Sequence, residues 1–114
     1  MFEGELASLA AIENTKTVKV PHPIKVLPQP SGPGSLIAME FLDMKYLSQQ
    51  SELGASLARL HRHNIELPID HEDKIHSFGF HVRTCCGFLP QGNGWNKDWD
   101  EYYSIKLEEQ INRY

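Results

Sequence analysis

Glu5 is the first residue whose type and spacing could do chemistry. Phe2 lies three positions before it, Leu9 four after and Ile12 seven after, so on a helix the carboxylate shares the apolar face. An acid in that place needs a cation from another element, because burying an unpaired charge costs several kcal/mol, the scale of a small domain's whole stability. The alternative is a solvated acid in a first helical turn, where the helix dipole favours it. His71, His76 and His81 with Cys85 and Cys86 offer imidazole and thiol groups, the ligands zinc prefers, yet their spacings match no standard zinc pattern. A Cys–His nucleophile would use Cys85 or Cys86 with His81, but no electropositive surroundings or oxyanion donors accompany it. Trp95, Trp99 and Tyr103 recur four apart, a spacing that suits stacking on a sugar and equally suits a plain core stripe.

These groups need elements to hold them. Phe2, Leu6, Leu9 and Ile12 predict a helix that stops at Asn14 and Thr15, and its start at Phe2 without a capping segment is expected of a truncated domain. Residues 17–20 and 24–27 read as short strands around Pro21-His22-Pro23. Past the turn-rich residues 28–34, residues 35–41 are expected to pair antiparallel with 24–27. Leu47, Leu53, Leu57 and Leu60 predict a second helix with Ser48 as its N-cap and an apolar stripe that needs a partner, and residues 64–77 read as a surface loop. His61 and His63 sit on that helix as surface or packing residues. Residues 78–90 are irregular but aromatic, 91–94 form a turn, and a last helix is expected to carry Trp95, Trp99, Tyr102, Tyr103, Ile105 and Leu107 and to end at Tyr114.

Composition narrows the classes. The chain has 114 residues, 40% hydrophobic and 10% aromatic, which suits one small globular domain. A chain this short leaves apolar faces open wherever neighbouring elements are missing. The net charge is −4 and no Lys/Arg cluster stands out, so nucleic acid is not an expected partner. The apolar run around residues 36–41 is far shorter than a membrane span, and the N-terminus lacks a basic segment ahead of an apolar one; a cytosolic protein with no membrane partner is expected. Cys85 and Cys86 are adjacent, a placement that resists bridging, and are expected as two thiols.

Three stretches carry a resemblance. Met1-Phe2-Glu3-Gly4-Glu5-Leu6-Ala7-Ser8-Leu9 resembles the small-lobe helix of ketosamine 3-kinases, with Glu5 at the position of the glutamate that pairs with a strand lysine. Met39-Glu40-Phe41-Leu42 resembles the linker between kinase lobes. Phe78-Gly79-Phe80, Thr84-Cys85-Cys86-Gly87, Pro90-Gln91, Asn93, Trp95, Asp98-Trp99 and Tyr102-Tyr103 are similar, in order and close spacing, to a signature of the fructosamine and ribulosamine 3-kinases.

The resemblance implies an α+β, partial protein-kinase-like fold: residues 1–42 as part of the small lobe with its hinge, residues 43–114 as the start of the large lobe. It implies ATP-dependent phosphorylation of a ketosamine, an Amadori-type sugar on a protein amine, at the sugar 3-hydroxyl, a deglycation role with a glycated protein or sugar-amine as substrate. The Glu40 carbonyl would accept from the adenine amino group, the Leu42 amide would donate to a ring nitrogen, and Met39 would line the pocket. ATP and Mg²⁺ serve the complete family enzyme, but this chain shows neither the phosphate loop and lysine strand nor the His-Gly-Asp loop and metal-binding aspartate. It is therefore expected to hold no metal, to bind no nucleotide tightly and to be inactive alone. Lys106-Leu107 stands where the family tends to show arginine then leucine. A non-catalytic interaction module, docking a protein through residues 78–103, is the alternative.

Overall fold

The computed structural model describes residues 1–44 and 50–112. Its elements run in the order α1 (Phe2–Thr15), β1 (Pro23–Pro28), β2 (Ser35–Met39), α2 (Gln50–Glu66), β3 (Cys85–Cys86), β4 (Leu89–Pro90) and α3 (Trp99–Ile111). Helices and two small antiparallel sheets give the α+β arrangement expected. The chain divides into two compact units, one of Met1, Glu3–Glu5 and Ile75–Tyr114, the other of Phe2 and Leu6–Lys74.

In the second unit, β1 and β2 form the hairpin that the prolines and turn residues predict, with Val26 opposite Ile37, Leu27 opposite Leu36 and Pro23 opposite Met39. The register slips between Pro23 and Lys25, a bulge at the β1 end nearest the candidate hinge. Residues 17–20, expected as a strand, are a bend followed by irregular backbone. The hydroxyl of Thr15 accounts for this, because it lies 2.8 Å from the Thr17 hydroxyl and accepts from the Thr17 amide at 3.4 Å, a local bond that competes with a ladder.

Helix α2 continues through Asn64 to Glu66, three residues into the expected loop. Lys74 accounts for the clean stop beyond it, its ammonium donating to the Leu67 carbonyl at 2.5 Å and the Ile65 carbonyl at 3.4 Å. Leu53 and Leu57 of its apolar stripe are exposed. The expected N-cap Ser48, with Leu47, lies outside the described residues, as does the expected helix end at Tyr114.

In the first unit, residues 78–90 are more ordered than their irregular composition suggests, because Cys85 pairs with Pro90 and Cys86 with Leu89. Helix α3 begins later than expected. The Asp98 side chain caps it, accepting from the Glu101 amide at 2.9 Å, which leaves Trp95 outside the helix. Trp95 is held extended by the bridge of Phe78 with Asn96, and it lies so close over Gly79 (φ +149°) that an added Cβ there would sit 2.9 Å from the Trp95 Cα. Phe78, Trp99, Tyr102 and Tyr103 form one aromatic cluster, with Phe78 edge-on to Trp99 at 5.1 Å and Trp99 stacked on Tyr103 at 5.4 Å.

No hydrophobic side chain among the described residues is buried, and Gly4 is the one described residue that is. Phe41, Ile65, Ile69 and Phe88 are broadly exposed. These are the open apolar faces that so short a chain predicts.

Candidate functional site

Met39 ends β2, and the chain leaves the sheet through Glu40 and Phe41 to Leu42. The Glu40 carboxylate is spoken for. Its Oε2 lies 2.6 Å from the Lys19 ammonium and accepts from the His22 amide at 3.1 Å. The Glu40 amide in turn donates to the His22 carbonyl at 2.9 Å, so the residue is held at side chain and backbone together. His22 extends the network, its Nδ1 lying 2.9 Å from the carboxylate of Glu13 near the end of α1. The Lys19 hydrogen bond, followed by that from His22, holds the Glu40 carboxyl below the usual carboxylate range.

Among the described residues, no hydrogen bond engages the Glu40 carbonyl or the Leu42 amide, while the Leu42 carbonyl accepts from Met44 at 2.9 Å. An acceptor and a donor two residues apart on one stretch of backbone have the donor and acceptor types that a purine edge pairs with. Met39, half-buried, precedes that stretch. A shallow cleft of about 310 Å³ in the same unit is lined by Glu13, Lys16, Thr17, Val18, Lys19 and Val20, beside the network and not along Met39 or Leu42.

Glu5 is exposed, which corrects the expectation that it points inward. The cause is local: it sits in the first turn of α1, where the amide of residue 5 bonds the Met1 carbonyl and water reaches the acid at the favourable end of the dipole. It has no ion-pair partner among the described residues. Glu5 belongs to the first unit, Met39, Glu40 and Leu42 to the second.

In the first unit, a cleft of about 270 Å³ is lined by Gly92, Trp95, Asn96, Tyr102, Lys106 and Glu109 among others. The Glu109 carboxylate accepts from the Gly92 amide at 2.9 Å, and the Lys106 ammonium reaches the Gly92 carbonyl at 3.3 Å and lies 5.4 Å from the Tyr102 ring centroid. Lys106 thus binds a loop carbonyl rather than an acid. Cys85 and Cys86 are free thiols, and among the described residues no three His, Cys, Asp or Glu side chains converge as a metal site. No described helix is long and apolar enough to cross a membrane.

Sequence reasoning missed the Lys19–Glu40–His22–Glu13 network, whose directly bonded partners are up to 21 residues apart with no local pattern to join them. The one available signal was opposite charge at the two ends of the predicted hairpin.

Over 93% of its length the chain superimposes on the crystal structure of a candidate fructosamine-3-kinase from Haemophilus somnus 129PT, with a TM-score of 0.72, 24% identity and 33% of that chain covered. That likeness defines the class by fold, an α+β kinase-like arrangement. The sequence model of the fructosamine kinase family matches residues 1–112, and the chain belongs to that family. It is 48% identical over 120 residues to the mouse protein named ketosamine-3-kinase, covering 91% of this chain and 38% of that protein. It is 40% identical over 107 residues to the Arabidopsis thaliana protein named protein-ribulosamine 3-kinase, chloroplastic, covering 93% of this chain and 30% of the relative. The chain therefore spans about a third of the length of the curated relatives it matches.

Proposed function

We propose that this chain is the hinge-bearing portion of an ATP-dependent ketosamine 3-kinase, acting on a sugar-amine or glycated protein at the sugar 3-hydroxyl in protein deglycation. The observation that carries this is the divided use of Glu40: its carboxylate and amide are tied to Lys19 and His22, while its carbonyl and the Leu42 amide take no hydrogen bond among the described residues. Those two backbone groups fit the adenine edge of ATP, with Met39 beside them. Residues 1–42 then belong to the small lobe and 43–114 to the large lobe. By its place in α1, and on the family resemblance alone, Glu5 is assigned the role of the glutamate that pairs with the phosphate-holding lysine of a kinase, although in this chain it faces water. Mg²⁺ in a kinase is held by one or two carboxylates together with the nucleotide phosphates, and we assign it no ligand among the described residues, where no three acidic, His or Cys side chains converge. Phosphoryl transfer relies on charge neutralisation and a base for the hydroxyl, so the chain alone is inactive. Two free thiols accord with a reducing, cytosolic setting.

Replacing the matching stretch of the mouse ketosamine-3-kinase with residues 1–112 tests the proposal. The graft is expected to transfer phosphate from ATP to a ketosamine 3-hydroxyl, read by product NMR. A folded graft that consumes no ATP with that substrate refutes it.

A further inference from the structure

Gly4 is the one buried residue described, and it precedes Glu5. Its α-carbon faces the backbone of residues 83 and 84: an added Cβ would overlap the Arg83 carbonyl oxygen and sit 3.0 Å from the Thr84 Cα. In most helices alanine is the better former, so glycine here answers to close approach. The backbone it meets is itself fastened. The Thr84 carbonyl accepts from the Gln91 amide at 2.9 Å, and the Asn93 side-chain amide donates to the Thr84 hydroxyl at 2.8 Å and the Val82 carbonyl at 3.0 Å. The Phe80 amide bonds the Asn93 carbonyl at 3.0 Å, closing the loop on its other side. Next to Asn93, Gly92 is gripped by Glu109 and Lys106 of α3. Hydrogen bonds and the Gly92–Asn93 peptide link thus lead from α3, through Gly92, Asn93 and Thr84, to the backbone against which Gly4 packs.

We infer that the loop of residues 80–93 is a seat that sets the position of Glu5, with Gly4 as its contact point and Asn93 as its fastener. Gly4, Thr84 and Asn93 are positioning residues and touch no substrate. The inference rests on the proposed kinase role of Glu5, since a pairing glutamate works only when its helix is in place. A displacement of about an ångström costs on the order of 10- to 100-fold in rate.

The grafted enzyme decides it through Glu5→Gln, Gly4→Ala, Asn93→Ala and the pairwise combinations with Glu5→Gln. Gly4→Ala is expected to lower kcat by about 10-fold or more, with KM for ketosamine within about twofold. Asn93→Ala loosens the seat without touching α1, and should lower kcat in the same way if Gly4→Ala fails to fold. Each combination with Glu5→Gln should be no slower than Glu5→Gln alone, because the seat acts through Glu5. Losses that multiply, or a folded Gly4→Ala or Asn93→Ala enzyme with unchanged kcat, overturn the inference while leaving the kinase role of Glu5 intact. An unchanged kcat in Glu5→Gln instead removes that role, and the inference with it.

Discussion

The Lys19 ammonium and the Glu40 carboxylate meet at 2.6 Å, joining the segment after α1 to the residue that leaves β2. Both side chains are partly exposed, so the pair contributes little by itself to stability. Its effect is directional. With the His22 amide on the same oxygen, it ties up the Glu40 carboxylate, while the carbonyl of the same residue takes no hydrogen bond among the described residues.

Lys19→Met should therefore raise the Glu40 carboxyl toward its ordinary range, because the largest cause of its lowering is removed. A carboxyl lowered in the folded state favours folding above its unfolded pKa, and that contribution disappears as pH falls through the folded value. The wild-type chain should thus lose this contribution only below the usual carboxylate range, and Lys19→Met should shrink the difference to what the His22 amide bond maintains. Carbon-13 titration of the Glu40 carboxyl checks both. A titration midpoint unmoved by Lys19→Met would show that the contact does not persist in solution.

Asp98 caps α3 through the Glu101 amide, and its own backbone is set by Asn96, whose side chain accepts from the Asp98 amide at 2.8 Å. Asp98→Ala should cost about 1 kcal/mol, read as a shifted denaturation midpoint in the graft. Asp98→Asn should recover most of it, since either side chain can accept.

Lys74 bonds two carbonyls at the end of α2, one of them in the partly buried Leu67 backbone. Lys74→Met keeps the aliphatic stem and removes the donor, and is expected to destabilise by about 1 kcal/mol. Hydrogen exchange should rise at the end of α2, while the hairpin exchanges as before.

The 114-residue chain by itself should melt broadly and self-associate, because no described hydrophobic side chain is fully enclosed and Phe41, Ile65, Ile69 and Phe88 face solvent. It should also show no ATP-dependent phosphorylation of a ribulosamine. A sharp, concentration-independent melt by a monomer would favour the interaction-module alternative.

Local chemistry made much of this fold legible. Phe2, Leu6, Leu9 and Ile12 marked α1, which ends at Thr15 as Asn14 and Thr15 suggest, and the prolines and glycines around residues 28–34 marked the hairpin. Trp95 misled, because a four-residue spacing to Trp99 looks helical until Asp98 is recognised as the cap. Glu5 misled in the opposite sense: its apolar spacing is real, but a first-turn acid remains open to water. The Lys19–Glu40 pair, signalled only by opposite charge, and the Thr84–Asn93 clasp were missed, since each is made by tertiary approach and neither leaves a periodic trace.

The proposed hinge is tested most directly by titrating adenosine into the nitrogen-15-labelled graft and following the Leu42 amide. The proposed adenine contact predicts a saturable downfield shift at Leu42, with the amides of residues 16–20, along the neighbouring cleft, little changed. Saturation at residues 16–20 with Leu42 unmoved would contradict it.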